Sequence, residues 1–116
     1  MEKITRSALV MYSAEQMYAL VDDISSYPQF VPNCTETHIL SEEDNVVCAS
    51  LQVAKSGVAK TFSTRNTRTL NQRIQMQLLD GPFNYLQGDW TFHALSEQAC
   101  KIELELEFEF SSRLAS

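Results

Sequence analysis

From Cys34 nearly to its end the chain alternates apolar and polar residues with a period of two, and over the last stretch the alternation is unbroken. Ile102, Leu104, Leu106, Phe108 and Phe110 fall on one side; Lys101, Glu103, Glu105, Glu107 and Glu109 fall on the other. Only an extended strand sends successive side chains to opposite faces, so one face here must be buried and the other wet. The same reading predicts strands over 35–41, 46–55, 59–69, 74–80, 85–94 and 101–110. Their breaks are short and rich in turn formers: Glu42-Glu43-Asp44-Asn45, Ser56-Gly57, Leu70-Asn71-Gln72, Asp80-Gly81-Pro82 and Ser96-Glu97-Gln98. Connections that short imply hairpins and an antiparallel meander.

The front of the chain is different. Ile4, Ala8, Val10 and Tyr12 alternate with Thr5, Ser7, Leu9 and Met11, which predicts a first strand over 4–12. Ser13-Ala14-Glu15-Gln16 fits a capping box, with Tyr12 and Met17 positioned as a hydrophobic staple. Ala14, Met17, Tyr18 and Val21 then form a one-sided apolar stripe, predicting a helix over 14–22. In the following segment, Pro28 and Pro32 forbid a long helix, while Ser26 with Pro28 close behind suits one helical turn. Tyr27, Phe30 and Val31 make that connection unusually apolar, so it either plugs the core or covers something.

The expected layout is therefore α+β, with one strand, two short helices and six further strands in a single domain spanning 1–116. Two short helices cannot cover a seven-stranded sheet, whose strands lie about 4.8 Å apart. Ser111-Ser112-Arg113-Leu114 reads as the opening of a further, C-terminal covering helix, and the expectation is that this helix is cut short or missing. An apolar face left open in that way favours self-association.

Composition removes several functions. No apolar run approaches the roughly 18 residues of a membrane span, and Met1-Glu2-Lys3-Ile4-Thr5-Arg6 lacks the apolar core of a signal peptide. Cys34, Cys48 and Cys100 are odd in number and include no C-x-x-C pair, the pattern of free thiols in a reducing compartment; a cytoplasmic location is expected. A net charge of −6 disfavours DNA and general nucleic-acid binding. Lys55, Lys60, Arg65, Arg68 and Arg73 nonetheless cluster, and two neighbouring strands would carry them as a basic stripe beside Thr61, Ser63, Thr64, Asn66 and Thr67.

Ser13-Ala14-Glu15-Gln16-Met17-Tyr18 and Tyr27-Pro28-Gln29-Phe30-Val31-Pro32-Asn33-Cys34 resemble the bacterial ribosome association toxin (RatA) family and its coenzyme Q-binding relatives. Lys60-Thr61-Phe62-Ser63-Thr64-Arg65-Asn66, Asp80-Gly81-Pro82-Phe83 and Trp90 followed by Phe92 carry the resemblance further along the chain. It implies a START-like, polyketide cyclase-related helix-grip fold, in which a curved sheet grips a long C-terminal helix.

Three functions come into view. The first is non-enzymatic binding of a hydrophobic ligand between sheet and helices, which the resemblance narrows to ubiquinone or another isoprenoid lipid and links to respiratory quinone function. Tyr27, Phe30, Val31 and Pro32 would form its lid or mouth, and Phe62, Phe83, Leu86, Trp90, Phe92 and Leu106 its wall. The second, implied by the same resemblance, is a toxin that binds the large ribosomal subunit and blocks subunit joining, with Lys55, Lys60, Arg65, Arg68 and Arg73 as the contact set. The third is polyketide cyclase-like catalysis. This is the weakest, because His38 and His93 are the only histidines, no carboxylate partner for either is evident, and no metal-ligand cluster is present. The row of glutamates from Glu103 to Glu109 reads as solvated and edge-protecting. Neither a catalytic residue nor a metal ligand is assigned.

Overall fold

The computed structural model describes residues 1–111. Seven strands form one antiparallel, curved sheet: β1 (Glu2–Val10), β2 (Cys34–Glu43), β3 (Val46–Lys55), β4 (Val58–Thr69), β5 (Arg73–Asp80), β6 (Phe83–Ser96) and β7 (Ala99–Phe110). Between β1 and β2 come helix α1 (Ala14–Asp22), a 3-10 turn (Ile24–Ser26) and helix α2 (Tyr27–Phe30). The spatial order is β1-β7-β6-β5-β4-β3-β2, so β2 through β7 are the expected meander and β1 closes against the last strand. The expected glutamate edge is therefore corrected. β7 lies between β1 and β6, and the sheet's edges are β1 and β2. The anticipated helix start after Phe110 falls on residues 112–116, outside the described residues.

Local chemistry accounts for the elements. Ser13 Oγ accepts a 3.0 Å bond from the Gln16 amide while Gln16 Oε1 accepts a 2.9 Å bond from the Ser13 amide, completing the capping box. The expected staple does not form, since the strand ends at Val10 and Tyr12 is 59% exposed. Ser56 and Gly57 both have positive φ, as a two-residue primed hairpin turn between β3 and β4 requires. Gly81 has φ +146°, and a Cβ there would sit 2.5 Å from Phe62 Cβ, so only glycine lets the β5–β6 hairpin lie against β4.

The helices lie at one end of the concave face. The apolar stripe of α1 packs over β6 and β7, where Ala14, Tyr18, Ile74, Phe92 and Cys100 are buried with Met17, Val21, Met76, Trp90 and Ile102 around them. The 3-10 turn and α2 settle on β2 and β3, where Ile24 meets Val47 and Ala49 with Tyr27 alongside. The rest of the concave face has no helix above it among the described residues.

Candidate functional site

Register decides which side chains share the concave face. Phe83 pairs with Phe110, Leu86 with Phe108, Gly88 with Leu106, Trp90 with Leu104 and Phe92 with Ile102. Ile74 lies beside Trp90 and Met76 beside Gly88, while Leu51 lies beside Phe62. All six expected wall residues (Phe62, Phe83, Leu86, Trp90, Phe92 and Leu106) therefore point to one face. A bulge between Phe83 and Tyr85 is what brings Phe83 into line with the even-numbered residues of β6.

They do not all occupy equivalent places. Phe92 is 4% exposed, edge-on to Tyr18 at 5.6 Å and stacked near Trp90, so it fills the core beneath α1 and cannot line an accessible wall. Trp90 is half-buried at the margin of that core. Leu86 and Leu106 are half-buried in the uncovered floor. At the far end from the helices Phe62, Phe83, Phe108 and Phe110 form an aromatic group with centroid separations of 5.3–6.4 Å. Gly88 leaves a dent in the floor, filled by the Met76 and Leu106 side chains. The result is a trough with an apolar floor, aromatic at one end and closed at the other by the helix-covered core.

The expected mouth divides as well. Tyr27 is anchored, its hydroxyl donating to the Val21 carbonyl. Burial, reinforced by Asp22, Cys34 and Asp23, pushes its pKa up to about 12. Phe30 is edge-on to Tyr27 at 5.7 Å yet 47% exposed, Val31 is half-buried and Pro32 is exposed. Pro32 borders an open cavity of about 410 Å³ with Asn33, Val53, Val58, Lys55 and Lys60. One member of the expected mouth and two of the expected basic stripe thus meet at the same rim.

The five basic residues do not form one stripe. Lys55, Lys60 and Arg68 have concave parity, whereas Arg65 and Arg73 project from the convex side. Arg73 is engaged by Asp89 at 2.8 Å through Nε. Arg68, with a side chain only 14% exposed, reaches Asp22 at 3.3 Å, Glu42 at 3.1 Å and the Asp44 carbonyl at 3.0 Å. Burial disfavours the charge of Arg68, but its bond to Glu42 and the field of Asp22 outweigh that and hold the pKa above its ordinary value. The corrected picture is two rim lysines that make no ion pair among the described residues, Arg65 on the convex side, and two arginines held in ion pairs, Arg68 on the concave face and Arg73 on the convex one.

The histidines each have a carboxylate neighbour that spacing did not reveal: Glu36 lies 2.7 Å from His38, and Glu103 lies 3.7 Å from His93. Both rings are more than half exposed and have convex parity, away from the trough. No cluster of three metal-ligating side chains occurs among the described residues, and no described helix is long and apolar enough to cross a membrane.

The structure adds two residues. Thr64 and Asn66 were placed beside an exposed basic stripe, yet they are 3% and 6% exposed on the concave face of β4. Counting by two from Phe62 would have found them.

A family model described as polyketide cyclase / dehydrase and lipid transport matches residues 10–116. The chain belongs to that family. Among curated members, the ribosome association toxin RatA of Escherichia coli strain K12 is 54% identical over 114 residues, covering 98% of this chain and 72% of the toxin. The mitochondrial coenzyme Q-binding protein COQ10 of Drosophila melanogaster is 30% identical over 116 residues, covering 97% of this chain and 48% of that protein. The fold is that of the Zhui aromatase/cyclase of Streptomyces sp. R1128, with a TM-score of 0.87 at 18% identity over 96% of this chain and 69% of the cyclase. The resemblance carried by the Tyr27–Cys34 segment and by the β4 and β6 motifs thus extends along nearly the whole chain.

Proposed function

We propose that this chain holds an elongated apolar molecule, an isoprenoid quinone or a similar lipid, along the concave trough, and that it binds without turnover. The observation that carries this reading is the continuous floor of Phe62, Phe83, Leu86, Leu106 and Phe108, half-buried side chains with no covering helix among the described residues. Covering about 300 Å² of such a floor gives about 7 kcal/mol before the costs of association, enough to retain a lipid tail. Family membership under a lipid-transport description and a relative named for coenzyme Q binding support the same ligand class. Binding rather than catalysis is supported by the position of His38 and His93 outside the trough. The same floor offers a route to self-association, which a bound lipid would compete away.

The test is organic extraction and mass spectrometry of protein purified from its own cells. A stoichiometric quinone or isoprenoid lipid is the expected result; consistently empty protein counts against the trough.

A second reading, contact with the large ribosomal subunit, is favoured by the 54% identity to a protein named for ribosome association. Of the expected contact set, Lys55 and Lys60 at the rim and Arg65 on the convex side make no ion pair among the described residues. Co-sedimentation with large subunits that is lost in Lys55→Glu/Lys60→Glu protein would support it. A lipid-free protein that still co-sediments would put this reading first.

A further inference from the structure

We infer that Asn66 is a polar anchor in the trough and that the ligand presents it with a carbonyl-type oxygen; this rests on the trough reading. β4 runs through the middle of an apolar face, yet its concave residues after Phe62 are Thr64, Asn66 and Arg68. Arg68 is accounted for by its ion pairs at the helix-covered end. The other two form a pair, with the Thr64 hydroxyl donating to Asn66 Oδ1 at 2.9 Å. That bond fixes the carboxamide and directs its other end, the Nδ2 donors, away from Thr64. Among the described residues Nδ2 donates to nothing, although Asn66 is 94% removed from solvent by its 6% exposure.

Burying amide donors without an acceptor is costly, and native structures rarely tolerate it. Among the described residues no side-chain nitrogen or oxygen is both fully sealed and unpartnered, so the Asn66 donors retain an opening. Their position says where it leads. Asn66 lies between Val47, under the 3-10 turn, and Met76, which lies over Gly88 in the floor. Thr64 lies between Ala49 and Leu78, one step from Phe62 and the aromatic end. The pair thus marks the seam where covered core becomes open trough. An apolar pocket with one fixed donor orients a ligand that is apolar along its length and carries an oxygen acceptor at one point. A quinone, ketone or ester oxygen meets that requirement; a cation does not. Thr64 serves as the positioning residue, since its hydroxyl occupies Oδ1 and leaves only donors facing the ligand.

The test compares two probes of equal tail length, 2-decyl-1,4-benzoquinone and decylbenzene, on the whole chain by titration calorimetry. The wild-type protein is expected to prefer the quinone. Asn66→Leu should weaken quinone binding about five- to tenfold, the worth of one hydrogen bond, and leave decylbenzene within about twofold. Thr64→Val, which unlocks the carboxamide without filling its place, should weaken quinone binding about two- to threefold and supplies the answer if Asn66→Leu does not fold. Decylbenzene binding with no quinone preference, or equal losses for both probes in the variants, overturns the anchor while leaving the trough standing. Failure of both probes to bind the wild-type protein overturns the two together.

Discussion

Replacing Arg68 with methionine should destabilise the protein by releasing a clasp between helix and sheet. The guanidinium joins three elements: Asp22 at the end of α1 at 3.3 Å, Glu42 on β2 at 3.1 Å and the Asp44 carbonyl in the β2–β3 turn at 3.0 Å. Glu42 is 55% exposed, so water screens most of its contribution. Asp22 is 25% exposed and would be left half-buried without its cation. A hydrogen bond to a charged group contributes about 1.5–3 kcal/mol when sheltered, so the combined loss should be about 2–3 kcal/mol. For a chain of this length, about 4 °C per kcal/mol lowers the melting temperature by about 8–12 °C. Urea denaturation should show the midpoint moving with little change in slope. A cycle with Asp22→Asn should recover a coupling of about 1–2 kcal/mol, while Lys60→Met, at the exposed rim, should stay within about 0.5 kcal/mol. An Arg68→Met protein as stable as the wild type, or a coupling near zero, would refute the role of Arg68 as the clasp between helix and sheet.

Other outcomes follow from the same packing. Tyr27 keeps its proton to about pH 12 in the folded protein against about 10 unfolded, so its share of stability is complete below pH 10 and is lost between 10 and 12; alkaline melts of Tyr27→Phe should lack that fall, with a cost of about 1 kcal/mol at neutral pH for the lost bond to Val21. Cys100 is 0% exposed with its thiol pKa pushed up by burial, and Cys34 is 5% exposed, so a disulfide-exchange reagent should titrate Cys48 first and the other two only on unfolding. Gly81→Ala should cost about 2 kcal/mol or more because its Cβ meets Phe62, whereas Gly57→Ala, facing open space, should cost about 1 kcal/mol, both read from denaturant midpoints.

The strands and the capping box were legible because both are local: a period of two needs only neighbours, and Ser13 with Gln16 satisfies amides three residues away. Expected and observed strands agree to within two residues at every end. The faces were harder. A cluster of cations in sequence reads as one stripe, but alternation along β4 sends Lys60 and Arg65 to opposite sides, and Asp22 and Asp89, distant in sequence, hold Arg68 and Arg73. The bulge beside Phe83 shifts parity in a way no pattern announces. Phe92 belongs to the core only because α1 settles on β6 and β7, a tertiary choice that alternation cannot reveal. Thr64 and Asn66 were missed because polarity was read as exposure; a polar pair that satisfies part of its own hydrogen bonding can be buried.

The central claim is that the concave trough accepts an apolar ligand, and Trp90 is the chain's only tryptophan, standing at the margin of that floor. Its fluorescence during titration with 2-decyl-1,4-benzoquinone reports on the trough directly. Saturable quenching at one equivalent, lost when Leu106 is replaced by lysine in protein that still melts cooperatively, is the predicted result. Quenching that rises linearly without saturation, or that Leu106→Lys leaves unchanged, would contradict it.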